Sequence, residues 1–342
     1  MSPPDVQYAF DARPGNGDTH SVADGIRWLR MPLPFALNHI NLWLVRDTGG
    51  WAIVDTGLGD DASREHWETL LSSGDLSDPL TRVLVTHMHP DHVGGAGYLA
   101  RRFGIDLWMA REEYLLCRVL VADTGRDAPD EGVAFYRAAG YPEEALARYR
   151  RMFGFFGRYV TPLPETYHRL ADRQIVTIGG SPWEVVVGRG HSPEHACLFD
   201  ADRNIIIGGD MLLPAISANV SVYPTEPRAN PLREWLESLA AIRGRIPADV
   251  LVLPAHGKPY FGAHARIDAM IAEHRSRLDA LLEYCAEPRR AIDVFPALYR
   301  RDVNKDNLMF ATGEALAHLN YLVEESLLRV ERDDGIDWYR RT

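Results

Sequence analysis

The sequence predicts an α/β fold, and three observations carry that prediction. Short runs rich in Val, Ile, Leu and Trp, bounded by Gly, Pro, Asn and Asp, recur through the first 256 residues. Several of them end on a histidine or an aspartate, the pattern of buried strands that deliver a reactive side chain at their C-terminal ends. Amphipathic helical stretches lie between these runs and follow them. With 342 residues, 46% hydrophobic and 25% charged, the chain can bury a full-sized core and has no composition suited to a long disordered tract.

Taken in order, IRWLRMPLP, INLWLVRD and WAIVDTG read as strands. RVLVTH, at 82–87, is a compact apolar strand, after which VGGAGYLARRFG turns helical. Between about 111 and 170, EEYLLCRVLV, EGVAFYRAAG and EEALARYRRMFGFFGRYV are amphipathic and rich in aromatics and arginine. A segment of that length is too long for a bare loop in a compact domain, so a helical insertion is expected, either a lid or a dimer contact. Strand character returns at RQIVTIGG, WEVVVGRG, ACLFDADRNIIIGGD and DVLVLPAHG, with DADRN as a hairpin turn. From 263 the chain is helical again, and it closes on helices and a short hairpin around DDG. The division is a main domain of residues 1–262 and a small helical, winged-helix-like domain of residues 263–342.

The 37 basic and 48 acidic residues give a net charge of −11, which opposes polyanions and favours a small-molecule substrate over nucleic acid. Cys117, Cys197 and Cys285 are widely spaced and lack CxxC spacing, which excludes a disulfide framework and a thiolate zinc site. The N-terminal stretch is polar and broken by Pro and Gly, and no run approaches the ~20 apolar residues of a spanning helix. A cytoplasmic protein with no membrane contact is expected.

THMHPDHVGG places His87, His89, Asp91 and His92 within six positions, directly after an apolar strand. Alternate residues of an extended segment point the same way, so His87 and His89 can converge on one cation. A turn at Pro90 then directs Asp91 and His92 to a second. Imidazole and carboxylate without thiolate suit zinc, and also iron or manganese. GRGHSPEH adds His191, IIIGGD adds Asp210 and LPAHG adds His256, each closing an apolar run.

These segments resemble the HxHxDH signature and the later ligand segments of the metallo-β-lactamase superfamily. The resemblance implies a four-layer αβ/βα sandwich and two divalent metal ions. It assigns His87, His89 and His191 to the first ion, Asp91, His92 and His256 to the second, and Asp210 to both. It also implies that Asp55, in IVDTG, braces the ligand loop. His195, four residues past His191, is a further bracing candidate, although Glu194 stands where many relatives have glycine. The tail resembles the C-terminal extension of the subgroup that includes glyoxalase-II-related hydrolases and certain endoribonucleases.

The activity implied is that of a binuclear metal-dependent hydrolase. A metal-bridging water, ionised near neutral pH, attacks an acyl carbon or a phosphorus, with Asp91 or Asp210 passing a proton to the leaving group. No GxSxG or Cys/His signature offers a competing nucleophile. Ser217, Asn219 and Tyr223, in the loop after Asp210, are candidates to reach the substrate. The acidic chain and the aromatic insertion favour a thioester, ester or lactone, hence a thioesterase or lactonase. The alternative is an endoribonuclease acting on single-stranded RNA, with RYRR at 148–151, PRR at 288–290 and YRR at 299–301 gripping the strand.

Overall fold

The computed structural model describes residues 6–35, 37–73, 76, 78–300 and 302–342. After β1 (Gln7–Tyr8), the chain builds a first sheet from β2 (Thr19–Ala23), β3 (Ile26–Pro32), β4 (His39–Asp47) and β5 (Gly50–Val54) as an antiparallel meander. Helix α1 (Asp61–Ser72) leads to β6 (Leu80–Leu84), and α2 (Pro90–Val93) and α3 (Ala96–Phe103) lead to β7 (Asp106–Ala110). These strands pair in parallel, as helical crossovers require.

The insertion is helical as expected: α4 (Arg111–Ala122), α5 (Asp130–Ala138) and α6 (Glu143–Met152). Its end differs from the expectation, because β8 (His168–Leu170) pairs in parallel with β7 as the edge of the first sheet. Three residues, of which only Leu170 is buried, are too few to display a strand period. The insertion also divides in two. Tyr114 and Cys117 of α4 belong to the core beneath the first sheet. By contrast, α5 and α6 close a small core of their own around Tyr136, Leu146 and Tyr149.

The second sheet is formed by β9 (Ile175–Ile178), β10 (Ser181–Gly188), β11 (His195–Asp200) and β12 (Ile205–Gly209). Helix α7 (Pro231–Arg245) crosses to β13 (Leu251–Pro254), which is followed by β14 (Tyr260–Phe261) and, at the edge, β1. Among the described residues, each of these two sheets has seven strands.

Side-chain alternation explains the four layers. Along β3 and β4, Trp28, Trp43 and Val45 enter the core between the sheets, whereas Leu29, Met31, Leu42 and Leu44 face the helices. Both faces are buried, which is why these strands read as nearly continuous apolar runs. Asn41 pins the sheets together, its amide nitrogen donating to Pro254 O at 2.9 Å and Gly257 O at 2.8 Å while Trp28 Nε1 donates to its oxygen at 2.8 Å.

Beyond these layers come α8 (Ala263–Tyr284), α9 (Phe295–Leu298), α10 (Leu308–Glu324) and the hairpin of β15 (Leu328–Asp333) and β16 (Ile336–Arg341). The hairpin turns at Asp334 and Gly335, both at positive φ, as a two-residue turn matched to strand twist demands. Leu232 and Trp235 of α7 share one buried cluster with Ile267, Met270 and Leu278 of α8 and with Leu316 and Leu319 of α10. The small core of α5 and α6 is closed by Ile292, Leu308 and Met309, and Tyr141 Oη meets Thr312 Oγ1 at 3.0 Å. Among the described residues, no helix is long and apolar enough to cross a membrane.

Candidate metal centre

The candidate ligands sit on turns that leave strand ends of the two sheets. Val85 extends β6 by donating to Trp108 O at 2.9 Å, which carries Thr86 and His87 into the buried interior. His89 is the N-cap of α2 and Pro90 opens it, a position where the missing N–H costs nothing. His191 follows Gly190, held at φ +100°, where a Cβ would lie 2.4 Å from Pro231 O and 2.6 Å from Trp235 N. Only glycine allows α7 to back so closely onto that turn. Asp210 follows Gly209 at φ +50°, where a Cβ would lie 2.4 Å from His195 Nε2.

The seven side chains form two groups, each with its ligand atoms within 4.8 Å of one another: His87, His89, His191 and Asp210, then Asp91, His92 and His256. Asp210 faces both. Its Oδ2 lies 3.3 Å from His191 Nε2 and 4.0 Å from His87 Nε2, while its Oδ1 lies 3.6 Å from His92 Nε2 and 3.5 Å from His256 Nε2.

The outer ring nitrogens are anchored. His191 Nδ1–H donates to Asn219 O at 2.7 Å, His256 Nδ1–H to His39 O at 2.7 Å, and His92 Nδ1–H to Asp55 Oδ2 at 2.8 Å. With those protons outside, the Nε2 lone pairs of the three rings converge inward. His87 Nε2 lies 2.8 Å from His89 Nδ1 and 3.2 Å from His191 Nε2. His92 Nε2 and Asp210 Oδ1 are buried without a hydrogen-bond partner, which is costly unless a cation meets them. Imidazoles and carboxylates with no thiolate are the donor set of a divalent ion, so the residues present fit two such ions.

The charges agree. Burial and the neighbouring imidazoles hold His87 well below its ordinary range and His89 at about 3, so both stay neutral and able to ligate. Burial raises the Asp91 carboxyl, but His92 and His256 pull it down to about 2. At His92, burial lowers the pKa, and Asp55, Asp210 and Asp91 outweigh it and drive it well above the ordinary value. Three carboxylates around one imidazole mark a place that demands positive charge.

Asp55 adopts φ 61°, a strained conformation for a non-glycine residue, and accepts from Thr86 N at 2.8 Å, from Thr86 Oγ1 and from His92. His195 is fully buried, stacks on His87 at 4.7 Å and accepts the Asp210 amide proton on Nε2 at 3.1 Å. Glu194 is held by Arg189 at 3.2 Å and by the Glu112 amide at 3.0 Å.

Two residues with no mark in the sequence also shape the centre. Glu113, fully buried, accepts from Met88 N at 2.9 Å, Ser192 Oγ at 2.7 Å and Glu194 N at 2.7 Å, thereby joining the two histidine loops. In EEYLL it reads as a solvated first-turn acid, so no pattern marks it. His39 accepts from Gly257 N at 3.1 Å while its carbonyl holds His256.

Of the substrate candidates, Ser217 Oγ faces His274 of α8 at 3.5 Å, Asn219 supplies the carbonyl under His191, and Tyr223 is 43% exposed. Among the arginines of the RNA alternative, Arg148 pairs with Asp306 at 2.9 Å and Arg290 with Asp293 at 2.8 Å, while Arg301 lies outside the described residues.

Residues 37–256 match the family model of the metallo-beta-lactamase superfamily, and residues 278–342 match that of the metallo-beta-lactamase-like C-terminal domain. The chain belongs to the metallo-beta-lactamase superfamily. It is accordingly a metal-dependent hydrolase, and the two sheets with their outer helices are the sandwich of that superfamily. A beta-lactamase domain protein from Burkholderia ambifaria, known from a crystal structure, is 42% identical with a TM-score of 0.90, and the match covers 98% of each chain. A probable metallo-hydrolase of Bacillus subtilis, YqjP, is 24% identical over 314 residues, 88% of this superfamily member and 92% of the relative. Acyl-coenzyme A thioesterase MBLAC2 of Bos taurus is 27% identical over 201 residues, 56% of this chain and just under two thirds (65%) of the bovine protein.

Proposed function

We propose that this chain hydrolyses small-molecule acyl thioesters with two divalent cations, most simply zinc. The observation that carries the reading is the two-faced position of Asp210 between a three-histidine group and the Asp91, His92 and His256 group. His87, His89 and His191 would hold one ion, Asp91, His92 and His256 the other, and Asp210 both. Bound there, the cations would activate a water as nucleophile and polarise the acyl oxygen.

The chain's own groups do the rest. Asp55, Asn219 and His39 fix the imidazole tautomers, and His195 holds Asp210 by its amide. Asp91 is the more open of the two central carboxylates, its side chain 21% exposed against 11% for Asp210, and a water hydrogen-bonded to it would relay a proton toward the leaving group. A thiol, with a pKa of about 8.5, departs largely as thiolate, so a water held by a carboxylate suffices as its proton source. The bovine relative's thioesterase activity supports the same substrate class.

The test combines metal analysis with a thiol-release screen on acyl-coenzyme A and acyl-pantetheine thioesters, run beside lactones and a fluorogenic single-stranded RNA. About two metal equivalents, with thioester turnover abolished in His89→Ala, is the expected result. Turnover confined to lactones or RNA would replace the thioester reading, and absence of bound metal would end the two-cation one.

A further inference from the structure

The loop between β12 and α7 has no helix or strand of its own, yet its Asn219 carbonyl is what fixes His191. The groups that fix the loop come from the C-terminal helices. Arg266, in the first turn of α8 and only 5% exposed, donates from Nε to Leu213 O and from Nη2 to Ile216 O, both at 2.7 Å. His274, farther along α8, faces Ser217. Glu314 of α10 accepts from Asn219 Nδ2 at 3.4 Å and is itself held by Arg277 Nη1 at 3.0 Å and Tyr299 Oη at 3.2 Å. Val222 N donates to Gly313 O at 3.0 Å, and a Cβ on Gly313 would lie 2.6 Å from Ser221 Oγ. Residues 213, 216, 217, 219 and 222 are therefore tied one after another to residues beyond 262.

We infer that Arg266 and Glu314 are positioning residues for the metal position that contains His191, so the C-terminal helices complete that position rather than decorate the sandwich. The inference rests on the two-cation reading above. A ligating imidazole needs a fixed acceptor for its other N–H, and such acceptors set ring orientation and tautomer. For His92 and His256 the acceptors are Asp55 and the His39 carbonyl, both on the first sheet or its loops. For His191 the acceptor rides on a loop whose shape is set from α8 and α10. Release of that loop therefore perturbs one metal position and leaves the other standing, whereas general destabilisation weakens both.

The test uses the full chain. Cobalt(II) and zinc(II) are titrated against a competing chelator so that the two binding steps separate, and His191→Ala identifies the step that includes His191. Arg266→Lys keeps the charge but cannot make both bonds, and Glu314→Gln removes the charge that Arg277 anchors. Each is expected to weaken the His191 step by about 10- to 100-fold and leave the other step unchanged. Arg243→Ala, which breaks an exposed pair with Asp268 of α8, should alter neither step. Should a variant fail to fold, Asn219→Ala carries the same expectation, because it leaves Glu314 paired with Arg277. Equal weakening of both steps, or no change in either, overturns the inference. A wild type without two binding steps overturns the two-cation reading instead.

Discussion

Glu113 Oε2 accepts the amide proton of Met88 at 2.9 Å, so a helix of the insertion holds the loop that carries His87 and His89. Its other oxygen takes Ser192 Oγ and Glu194 N, beside His191. Glu113→Ala strands three buried donors, each costing about 1–3 kcal/mol. A loss of roughly 3–5 kcal/mol in urea unfolding, with reduced metal content, is expected. An unchanged midpoint would show that the carboxylate is dispensable.

Asp55→Asn keeps the size of the side chain but faces His92 Nδ1–H with an amide that can turn only one acceptor toward it. Thr86 N and Oγ1 compete for that acceptor. Affinity at the Asp91, His92 and His256 position should fall about 10- to 100-fold in chelator competition. Equal affinity would remove Asp55 from the centre.

The buried pair His274 and His318, whose rings meet at 3.2 Å, gives a pH dependence. Burial, then His318 and Arg277, hold His274 at about 3. Burial and Arg277 hold His318 at about 4, against the pull of its bond to Glu314 O. Both folded values lie below 6.5, so as pH falls the unfolded chain takes up protons that the folded chain refuses. Their contribution is complete above pH 6.5 and is lost progressively as the pH falls toward 4. His274→Leu should flatten the stability–pH slope in that window by up to ~1.4 kcal/mol per pH unit. An identical slope in wild type and variant would refute it.

The three thiols are buried. Burial pushes Cys117 to about 12 and Cys285 to about 11, far from the thiolate form. A disulfide-exchange reagent should find essentially no reactive thiol in the native protein and all three after denaturation. Fast native labelling would contradict the burial and would also spoil a thiol-release assay.

The parts legible in the sequence are local. RVLVTH, IIIGGD and LPAHG announce both a strand and the candidate ligand at its end, because an apolar run and a terminal polar residue sit side by side in the chain. DADRN and DDG announce their hairpins through turn chemistry alone. Glu113, Asn41 and Arg266 gave no such signal. Their partners lie at Ser192 and Glu194, at Pro254 and Gly257, and at Leu213 and Ile216, so only tertiary structure turns an ordinary polar residue into a brace. β8 escaped for a different reason: its pairing comes from the neighbouring edge, not from its own three residues.

Every candidate ligand precedes residue 257, whereas Arg266, Gly313 and Glu314, which shape the loop beneath His191, follow residue 262. During synthesis the imidazoles therefore emerge from the ribosome before the groups that set one of them. Units fold as they appear, N-terminal first, so the growing sandwich passes through a stage with its HxHxDH turn made and the opposite loop unset. If Arg266 and Glu314 position His191 as inferred above, the cation position of His191 is complete only after α10 has emerged, and a chain that ends before α10 is expected to bind a cation there more weakly.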